Sequence, residues 1–293
     1  MFIATLIAAD TLDGETIEAA ARRLADRGCG PGAPAWIDEG KAADVSFRSS
    51  PEEARAALEG GFPGVDVVVQ PAQGREKKLL VADMDSTMIT VECIDELADY
   101  AGIKAQIAAV TEAAMRGELD FAAALDARVT LLKGLEEGVI DRCLAERVTV
   151  MAGAKALVRT MRARGAETIL VSGGFTRFAE PVAREIGFSR AIANVLELAR
   201  GALAGTVAKP IVDSSTKERT LLEARDRLGL AAHETLAVGD GANDLAMIRL
   251  AGLGVAYHAK PVVAAAAAAR IDCNDLTALL YAQGIARSEW VVA

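Results

Sequence analysis

Two aspartates stand two positions apart directly after an apolar run, within the segment DMDST at residues 83–87. The preceding LLVA has the continuous apolar character of a buried parallel strand, and side chains two apart on a strand lean to the same side. Carboxylates as close as Asp83 and Asp85 need a shared proton or a cation, and such a pair can provide a nucleophile beside an acid and base. A pair that caps a helix is the alternative. A calcium loop is excluded, because Met88 and Ile94 stand where that loop requires Gly and Glu.

A second acidic segment, GDGAND at residues 239–244, follows the apolar strand TLAV. Its Asp240, Asn243 and Asp244 carry hard oxygen ligands suited to Mg²⁺, although a turn followed by a helix N-cap would use the same residue types. Open α/β sheets bind ligands at the carboxyl ends of their strands, so both acidic segments are expected at one sheet edge. Three or four carboxylates at that edge indicate a bound metal.

Two further segments could bind an anion. Ser172, Gly173 and Gly174 stand between an apolar strand and a helix, where a hydroxyl and backbone N–H groups form an anion cradle. Ser-Gly-Gly is also common in ordinary turns. Lys217 stands near the start of a predicted helix; a lone lysine is usually a solvated charge, so its functional interpretation depends on the other motifs.

The first part of the chain has its own pattern of elements. Residues 1–70 alternate as strand, helix, strand, strand, helix and strand, which predicts an α+β domain of ferredoxin-like fold. Residues 71–78 contain Pro, Gly and several cations but no apolar residue larger than Ala, and we interpret them as a linker.

The remainder is expected to hold the acidic segments. Apolar strands alternate there with helices, which predicts an α/β fold with a doubly wound parallel sheet. Residues 79–91 and 153–293 would form this core, and the helical pattern of residues 92–152 would form a cap inserted over the carboxyl edge of the sheet. Within the core we predict one strand over residues 191–198 and an alanine-rich helix over residues 262–269.

Composition excludes several classes of protein. The 293 residues are 52% hydrophobic and 25% charged, with a formal net charge of −9, as in a soluble globular protein. This charge argues against a protein that mainly neutralises nucleic-acid phosphates. The apolar N-terminus lacks a preceding basic region and fits a strand rather than a signal peptide, and the apolar stretch at 261–269 is too short to span a bilayer. With four scattered cysteines, the chain is expected to be cytoplasmic, with neither a nucleic-acid nor a membrane partner.

Taken in order, DMDST, VSGG, Lys217 and GDGAND resemble the four motifs of the haloacid dehalogenase superfamily over about residues 79–275. The helical insertion resembles the cap of its phosphoserine phosphatase branch. Glu92 stands nine residues beyond the first motif aspartate, and Phe121 and Arg128 stand seven apart before an LLK run, as in that branch. The N-terminal unit resembles an ACT-like domain through the order of its elements, and a homo-oligomer formed through it is a predicted partner arrangement.

The resemblance implies a Mg²⁺-dependent hydrolase that converts O-phosphoserine to serine and phosphate through an aspartyl-phosphate, the final step of serine biosynthesis. It implies that Asp83 is the nucleophile and that Asp85 donates and accepts the proton. Mg²⁺ would be held by the Asp83 carboxylate, the main-chain carbonyl of Asp85 and Asp240. Asp244 would support the metal from behind these ligands. The groups implied at the substrate are Ser172, Gly173, Gly174, Lys217 and Asn243 in the core, and Glu92, Phe121 and Arg128 in the cap.

Alternatives remain for the cap and for the activity. Glu92 could favour a helix N-terminus, Arg128 could be a surface cation and Phe121 could be a core residue. Another phosphatase or phosphotransferase of the superfamily, acting on a different small phosphomonoester, is the main rival. A phosphoacceptor switch and an amino-acid sensor are the non-enzymatic rivals, and the intact motif set argues against both.

Overall fold

The computed structural model of the chain describes residues 1–116 and 118–292. The first six elements are four strands and two helices in the predicted order, and the strands form an antiparallel sheet in the order β2-β3-β1-β4. Leu6, Val45 and Val67 pack with Leu24 in a core between the sheet and its helices. The elements are β1 Phe2–Ala8, α1 Gly14–Asp26, β2 Pro31–Asp38, β3 Ala42–Phe47, α2 Pro51–Leu58 and β4 Val65–Pro71.

The opposite face of this sheet packs against the rest of the chain. The buried Asp66 carboxylate accepts hydrogen bonds from the backbone N–H groups of residues 272–274, at 2.9 to 3.2 Å. Arg75 contacts the Asp44 carboxylate and also donates to the carbonyls of residues 281 and 282. The segment predicted as a linker is therefore held in place by both flanking regions.

A short strand and four helices come next. Asp120 begins the third of these helices by accepting the Ala123 N–H at 2.8 Å, as a helix N-cap does. The helices fall within the range predicted for the cap, whose boundaries remain a prediction. The elements are β5 Leu79–Ala82, α3 Cys93–Tyr100, α4 Lys104–Met115, α5 Phe121–Leu131 and α6 Gly138–Glu146.

The core is a six-stranded sheet in the order β12-β11-β10-β5-β6-β7, in which each pair of neighbouring strands is parallel. Because β5 is central and covered on both faces, all four of its residues are buried. The predicted α/β fold class is confirmed. Its remaining elements are α7 Ala154–Ala163, β6 Glu167–Phe175, α8 Thr176–Ile186, β7 Arg190–Asn194, β8 Leu196–Ala199, β9 Ala202–Val207, α9 Ser214–Leu228, β10 Thr235–Gly239, α10 Leu245–Leu250, β11 Leu253–Tyr257, α11 Pro261–Ala266, β12 Ala269–Ile271 and α12 Ala278–Ala282.

Two sequence predictions about the core are wrong. The single strand over 191–198 divides after Asn194, because the side chain of that residue bonds to neighbouring backbone and the chain leaves the sheet at the exposed Val195. Its second half pairs with β9 in a separate two-stranded sheet. The helix over 262–269 ends at Ala266, since Ala269 is buried in a sheet strand opposite Val255.

Within residues 1–116 and 118–292, no helix has both the length and the apolar character that a membrane span requires.

Candidate active site

A buried lysine and two aspartates meet where β5 and β10 end. Asp83 directly follows β5, and its backbone N–H donates to the carbonyl of Val238 at 3.0 Å. Lys217 Nζ, carried by α9, lies 2.6 Å from Asp83 Oδ1 and 2.7 Å from Asp244 Oδ1. All three side chains are buried. The structure therefore brings three of the motif residues into direct contact.

The charges of this cluster do not balance. Burial raises the pKa of Asp83 well above its usual range, Asp244 and Asp85 raise it further, and Lys217 acts against this. Burial opposes the positive charge of Lys217, but Asp83 and Asp244 outweigh it and raise the pKa of the lysine. Because one ammonium group faces several carboxylates, an additional cation would stabilise their ionised form.

A set of oxygen ligands for such a cation is present. Carboxylate oxygens of Asp83, Asp240 and Asp244 all lie within 4.8 Å of one another, which suits an ion with oxygen ligands at about 2.0–2.1 Å such as Mg²⁺. Thr87 Oγ1 donates to Asp240 Oδ1 at 3.1 Å. Burial, followed by Asp244, raises the pKa of Asp240 to about 6. Asp85 is outside this carboxylate group; its predicted contribution is a main-chain carbonyl.

The turn after β10 needs glycine to bring these acids together. A Cβ on Gly239 would lie 2.3 Å from Asp244 Cγ, a distance that no stable packing allows. Asp244 Oδ2 in turn accepts the N–H of Gly241 at 3.0 Å. The half-buried Asn243 folds over the same turn, since a Cβ on Gly241 would lie 2.3 Å from its Oδ1.

Asp85 has different surroundings from Asp83. Its Oδ1 accepts the backbone N–H of Cys93 at 3.1 Å, and its Oδ2 accepts the Ser172 hydroxyl at 3.4 Å. Burial raises the pKa of Asp85 to about 7, with a further contribution from the negative charge of Glu92. A carboxyl group with this pKa can hold or release a proton near neutral pH, as a general acid and base must.

The glycine-rich end of β6 lies beside Asp85. The N–H of Gly174 donates to Ser172 Oγ at 2.8 Å, and a Cβ on Gly174 would lie 3.0 Å from Asp85 Oδ2. A Cβ on Gly173 would lie 3.1 Å from Cζ of Phe121, at the start of α5. The predicted anion cradle therefore lies between Asp85 and the first residue of α5.

Glu92 and Arg128, the two charged residues predicted for the cap, interact electrostatically. Ser86 has a left-handed backbone with φ of 56°, and its hydroxyl donates to Glu92 Oε1 at 2.7 Å. Arg128 Nε donates to the carbonyl of Ala124 at 3.2 Å. Burial lowers the pKa of Arg128, while the negative charges of Asp95 and Glu92 oppose that shift. An acid and a cation are thus within electrostatic reach of each other.

Sequence reasoning assigned no role to Thr87 or Ser86, although both belong to the DMDST segment. Thr87 orients a predicted metal ligand and Ser86 orients a predicted substrate ligand through the hydrogen bonds just described. The available signal was the presence of two hydroxyl side chains directly after the two aspartates. Their partners, Asp240 directly after β10 and Glu92 directly before α3, could not be identified from spacing.

The sequence model of one protein family, the haloacid dehalogenase-like hydrolases, matches residues 77–252. This range contains the cluster of Asp83, Lys217, Asp240 and Asp244. The chain belongs to the haloacid dehalogenase-like hydrolases. Helices α3 to α6, which follow β5 in the chain, lie within the matched residues.

Similar proteins extend the match beyond the core. The chain is 43% identical over 243 residues to a phosphoserine phosphatase of Streptomyces coelicolor, covering 82% of this chain and 59% of that protein. A haloacid dehalogenase family hydrolase from Salmonella enterica has a similar structure, with TM-score 0.84 and 29% identity over 96% of this chain and 98% of that one. A probable phosphoserine phosphatase from Vibrio cholerae has TM-score 0.75 and 34% identity over 96% and 88% of the two chains. The chain spans 55 to 63% of the length of three curated relatives that it matches.

Proposed function

We propose that this hydrolase is a Mg²⁺-dependent phosphoserine phosphatase, which releases serine and phosphate from O-phosphoserine in the final step of serine biosynthesis. The observation that carries the proposal is the contact of Lys217 with Asp83 at the sheet edge, with Asp85 beside the anion cradle. The phosphoserine phosphatases among its relatives support the choice of substrate.

The donor set suits a magnesium ion, which Asp83, the main-chain carbonyl of Asp85 and Asp240 would hold. Mg²⁺ would supply positive charge against the developing charge of the phosphoryl group. Thr87 would keep the Asp240 carboxylate oriented toward the ion. Asp244 accepts hydrogen bonds from Lys217 and from the Gly241 N–H, so it would hold Lys217 and the turn after β10 in place beside the metal ligands.

The chain's own residues would carry out two successive displacement reactions at phosphorus. Asp83 attacks phosphorus as the bond to the serine oxygen breaks, and Asp85 donates its proton to that oxygen. Asp85 then accepts a proton from water, whose oxygen attacks phosphorus while the bond to Asp83 breaks. Both side chains return to their starting protonation states, and phosphate is released.

Positive charge and N–H donors stabilise the transferring group, because its equatorial oxygens carry most of the negative charge. Ser172, the Gly173 N–H and Lys217 would bind these oxygens. In the cap, Glu92 would bind the substrate ammonium, and Arg128 would bind its carboxylate through two parallel hydrogen bonds. Phe121, already close to Gly173, would exclude water from the phosphoryl group.

The direct test is phosphate release from a panel of small phosphomonoesters with Mg²⁺ present. Phosphoserine should have the highest kcat/KM, ahead of phosphorylated alcohols and aryl phosphates that lack an ammonium or a carboxylate. Asp83→Ala protein is the control for contaminating phosphatases. Preference for a substrate without either charged group would refute the substrate choice and favour another phosphatase or phosphotransferase. Phosphorylation of the chain without turnover would refute the proposal that it is an enzyme and would favour a phosphoacceptor switch.

The cytoplasmic location and a homo-oligomer formed through the N-terminal sheet remain predictions of the proposal. Cell fractionation tests the location, and light scattering of the purified chain tests the oligomer. A monomer would leave the catalytic proposal intact, since the site residues described above belong to one chain.

A further inference from the structure

Asn194, the last residue of β7, connects two backbone segments that lead to the site. The residue is 2% exposed. Nδ2 donates to the carbonyl of Gly173 at 2.8 Å and to the carbonyl of Val212 at 3.2 Å, while Oδ1 accepts the Val212 N–H at 2.7 Å. A single carboxamide therefore satisfies three backbone groups away from water.

Each of those segments carries a group that would bind the phosphoryl oxygens. Gly173 belongs to the anion cradle. Val212 is followed by Asp213, the N-cap of α9, whose Oδ1 accepts the Thr216 N–H at 2.9 Å. Lys217 is the next residue of that helix. Asn194 thus lies between the Gly173 peptide and the start of the helix that carries the buried lysine.

We propose that Asn194 is a positioning residue, which holds the anion cradle and the Lys217 helix at the separation that a phosphoryl group requires. The inference rests on the proposed phosphatase function. It follows from the geometry, because neither the cradle nor the start of α9 could shift relative to the other without breaking one of these bonds. In enzymes a misplacement of about 1 Å can lower rates by about 10²-fold.

The required residue type is narrow. The site presents two carbonyls and one N–H, which match the two donors and one acceptor of a carboxamide. Asp at this position would direct a carboxylate oxygen at the carbonyls of Gly173 and Val212. Leu has similar size but would leave all three backbone groups without a partner.

The test compares Asn194→Leu and Asn194→Asp with a matched control, Asn274→Leu. Asn274 is also buried and fully bonded, with its Nδ2 donating to the carbonyl of Ile7 and to Asp66, but it lies at the N-terminal sheet. The measurements are the Kd for inorganic phosphate with Mg²⁺ present, the Kd for Mg²⁺ alone, and kcat and KM for phosphoserine and an aryl phosphate.

Both Asn194 variants should bind phosphate at least about tenfold more weakly and lose activity on both substrates alike. Their Kd for Mg²⁺ should match wild type, since none of the carboxylates of the metal group bonds to Asn194. The Asn274 variant should lose stability but keep its phosphate affinity. This combination would separate positioning from general destabilisation.

The proposal is overturned if a folded Asn194 variant binds phosphate as tightly as wild type, or if the Asn274 variant loses the same affinity. If Asn194→Leu does not fold, the same criteria apply to Asn194→Asp. Wild-type protein that binds phosphate with Mg²⁺ but does not hydrolyse phosphoserine would refute the proposed substrate, while the effect of Asn194 on phosphate affinity would still decide this inference.

Discussion

At the residue scale, Asp83 and Asp85 show how two identical side chains acquire different properties within one motif. Asp83 contacts the Lys217 ammonium, whereas Asp85 contacts a backbone N–H and the Ser172 hydroxyl. Burial raises the pKa of both, to about 7 for Asp85. Pairs of acids with unlike surroundings commonly divide the roles of nucleophile and proton carrier, and we expect the same division here.

Replacing these two aspartates should give different kinetic defects. Asp83→Asn should abolish turnover and the formation of a trappable acyl-phosphate. Asp85→Asn should lower phosphoserine turnover by about 10²–10⁴-fold, the usual contribution of general acid–base catalysis. With an aryl phosphate, whose leaving group needs no proton, Asp85→Asn should show a burst of phenolate equal to the enzyme concentration. Near wild-type turnover by Asp83→Asn would contradict the covalent mechanism.

The choice of substrate should depend on the fork of Arg128. Arg128→Lys should lower kcat/KM for phosphoserine nearly as much as Arg128→Ala, because an ammonium cannot make two parallel bonds to a carboxylate. Loss of one partner from a desolvated charged contact costs about 2–5 kcal/mol. This cost corresponds to a fall in kcat/KM for phosphoserine of at least about tenfold. Activity on an aryl phosphate should change little.

The exposed Arg142 of α6 provides the control for that prediction. Arg142→Lys should leave both substrates unaffected. Equal losses on both substrates in Arg128→Ala would instead indicate impaired closure of the cap. An Arg128→Ala variant without any loss would assign selectivity to other residues.

At the scale of elements, the site depends on close approach between the segments that follow β5 and β10. Thr87 reaches Asp240 across that junction, and the Cβ position of Gly239 is already filled by Asp244. Both turns must therefore keep their backbone positions for the carboxylates to meet.

Adding one methyl group at Gly239 should disrupt this junction. Gly239→Ala should lower the free energy of unfolding by about 1–3 kcal/mol, as overpacking does, and should weaken Mg²⁺ binding because Asp244 is displaced. Gly14→Ala at the start of α1, with nothing within 4 Å of its Cβ position, is the control. Urea unfolding and metal titration measure the two effects; unchanged stability in Gly239→Ala would contradict the packing argument.

The segment between β4 and β5 contains a buried lysine, Lys77, that should make the free energy of unfolding depend on pH. Lys77 Nζ donates to the carbonyls of Gly74 and His233, both at 2.8 Å. Burial, followed by the charge of Arg75, lowers the pKa of Lys77 to about 8. The unfolded chain keeps a lysine pKa near 10.4, so between about pH 8 and 10.4 the unfolded state binds more protons. The contribution of Lys77 to unfolding free energy therefore rises with pH in that window.

Substitution should remove this pH dependence. The difference in unfolding free energy between wild type and Lys77→Met should grow by up to about 3 kcal/mol from pH 8 to 10.4 and stay constant below pH 8. Lys78→Met, at a more exposed neighbour, should retain the wild-type slope. Urea unfolding at several pH values measures both, and a flat difference for Lys77→Met would contradict the buried, proton-poor state.

At the scale of the whole molecule, the N-terminal four-stranded sheet packs against the α/β core. The Asp66 carboxylate joins β4 to residues 272–274, and the sheet residues Ile7, Ala42 and Val68 belong to the same apolar cluster as the α/β core. The N-terminal sheet thus supports the chain segment that follows β12, on the far side of β10 and β11 from β5.

Removal of metal should affect both activity and global stability. Chelator should abolish phosphate release, and added Mg²⁺ should restore it, because the clustered carboxylates and the substrate phosphate repel one another without a cation. Mg²⁺ at 100 times its Kd should raise the unfolding free energy by about 2.7 kcal/mol. Asp240→Asn should weaken both effects while the fold is retained. Full activity in chelator would refute the metal assignment.

How much could be predicted from sequence depends on how local the determining interactions are. The carboxyl ends of β5 and β10 were predictable, since apolar strands followed by DMDST and GDGAND bring their acids to one edge of any parallel sheet. The order of the first six elements was also predictable, because apolar periodicity and Gly or Pro breakers act over a few residues. The division of the strand over 191–198 was not, because it occurs where the Asn194 side chain accepts a hydrogen bond from the N–H of Val212, a residue distant in the chain.

By itself the sequence determined the fold class, the order of the elements and the types of group at the site, because apolar periodicity and short motifs act between neighbouring residues. Only the tertiary structure decided which partner each group has. The contacts of Lys217 with Asp83 and Asp244, and of Thr87 with Asp240, join residues far apart in the chain. The burial of Lys77 likewise depends on segments distant from it in the chain. Such pairings depend on how sheets and helices pack, and the strength of a buried charge depends on every neighbour that packing brings to it.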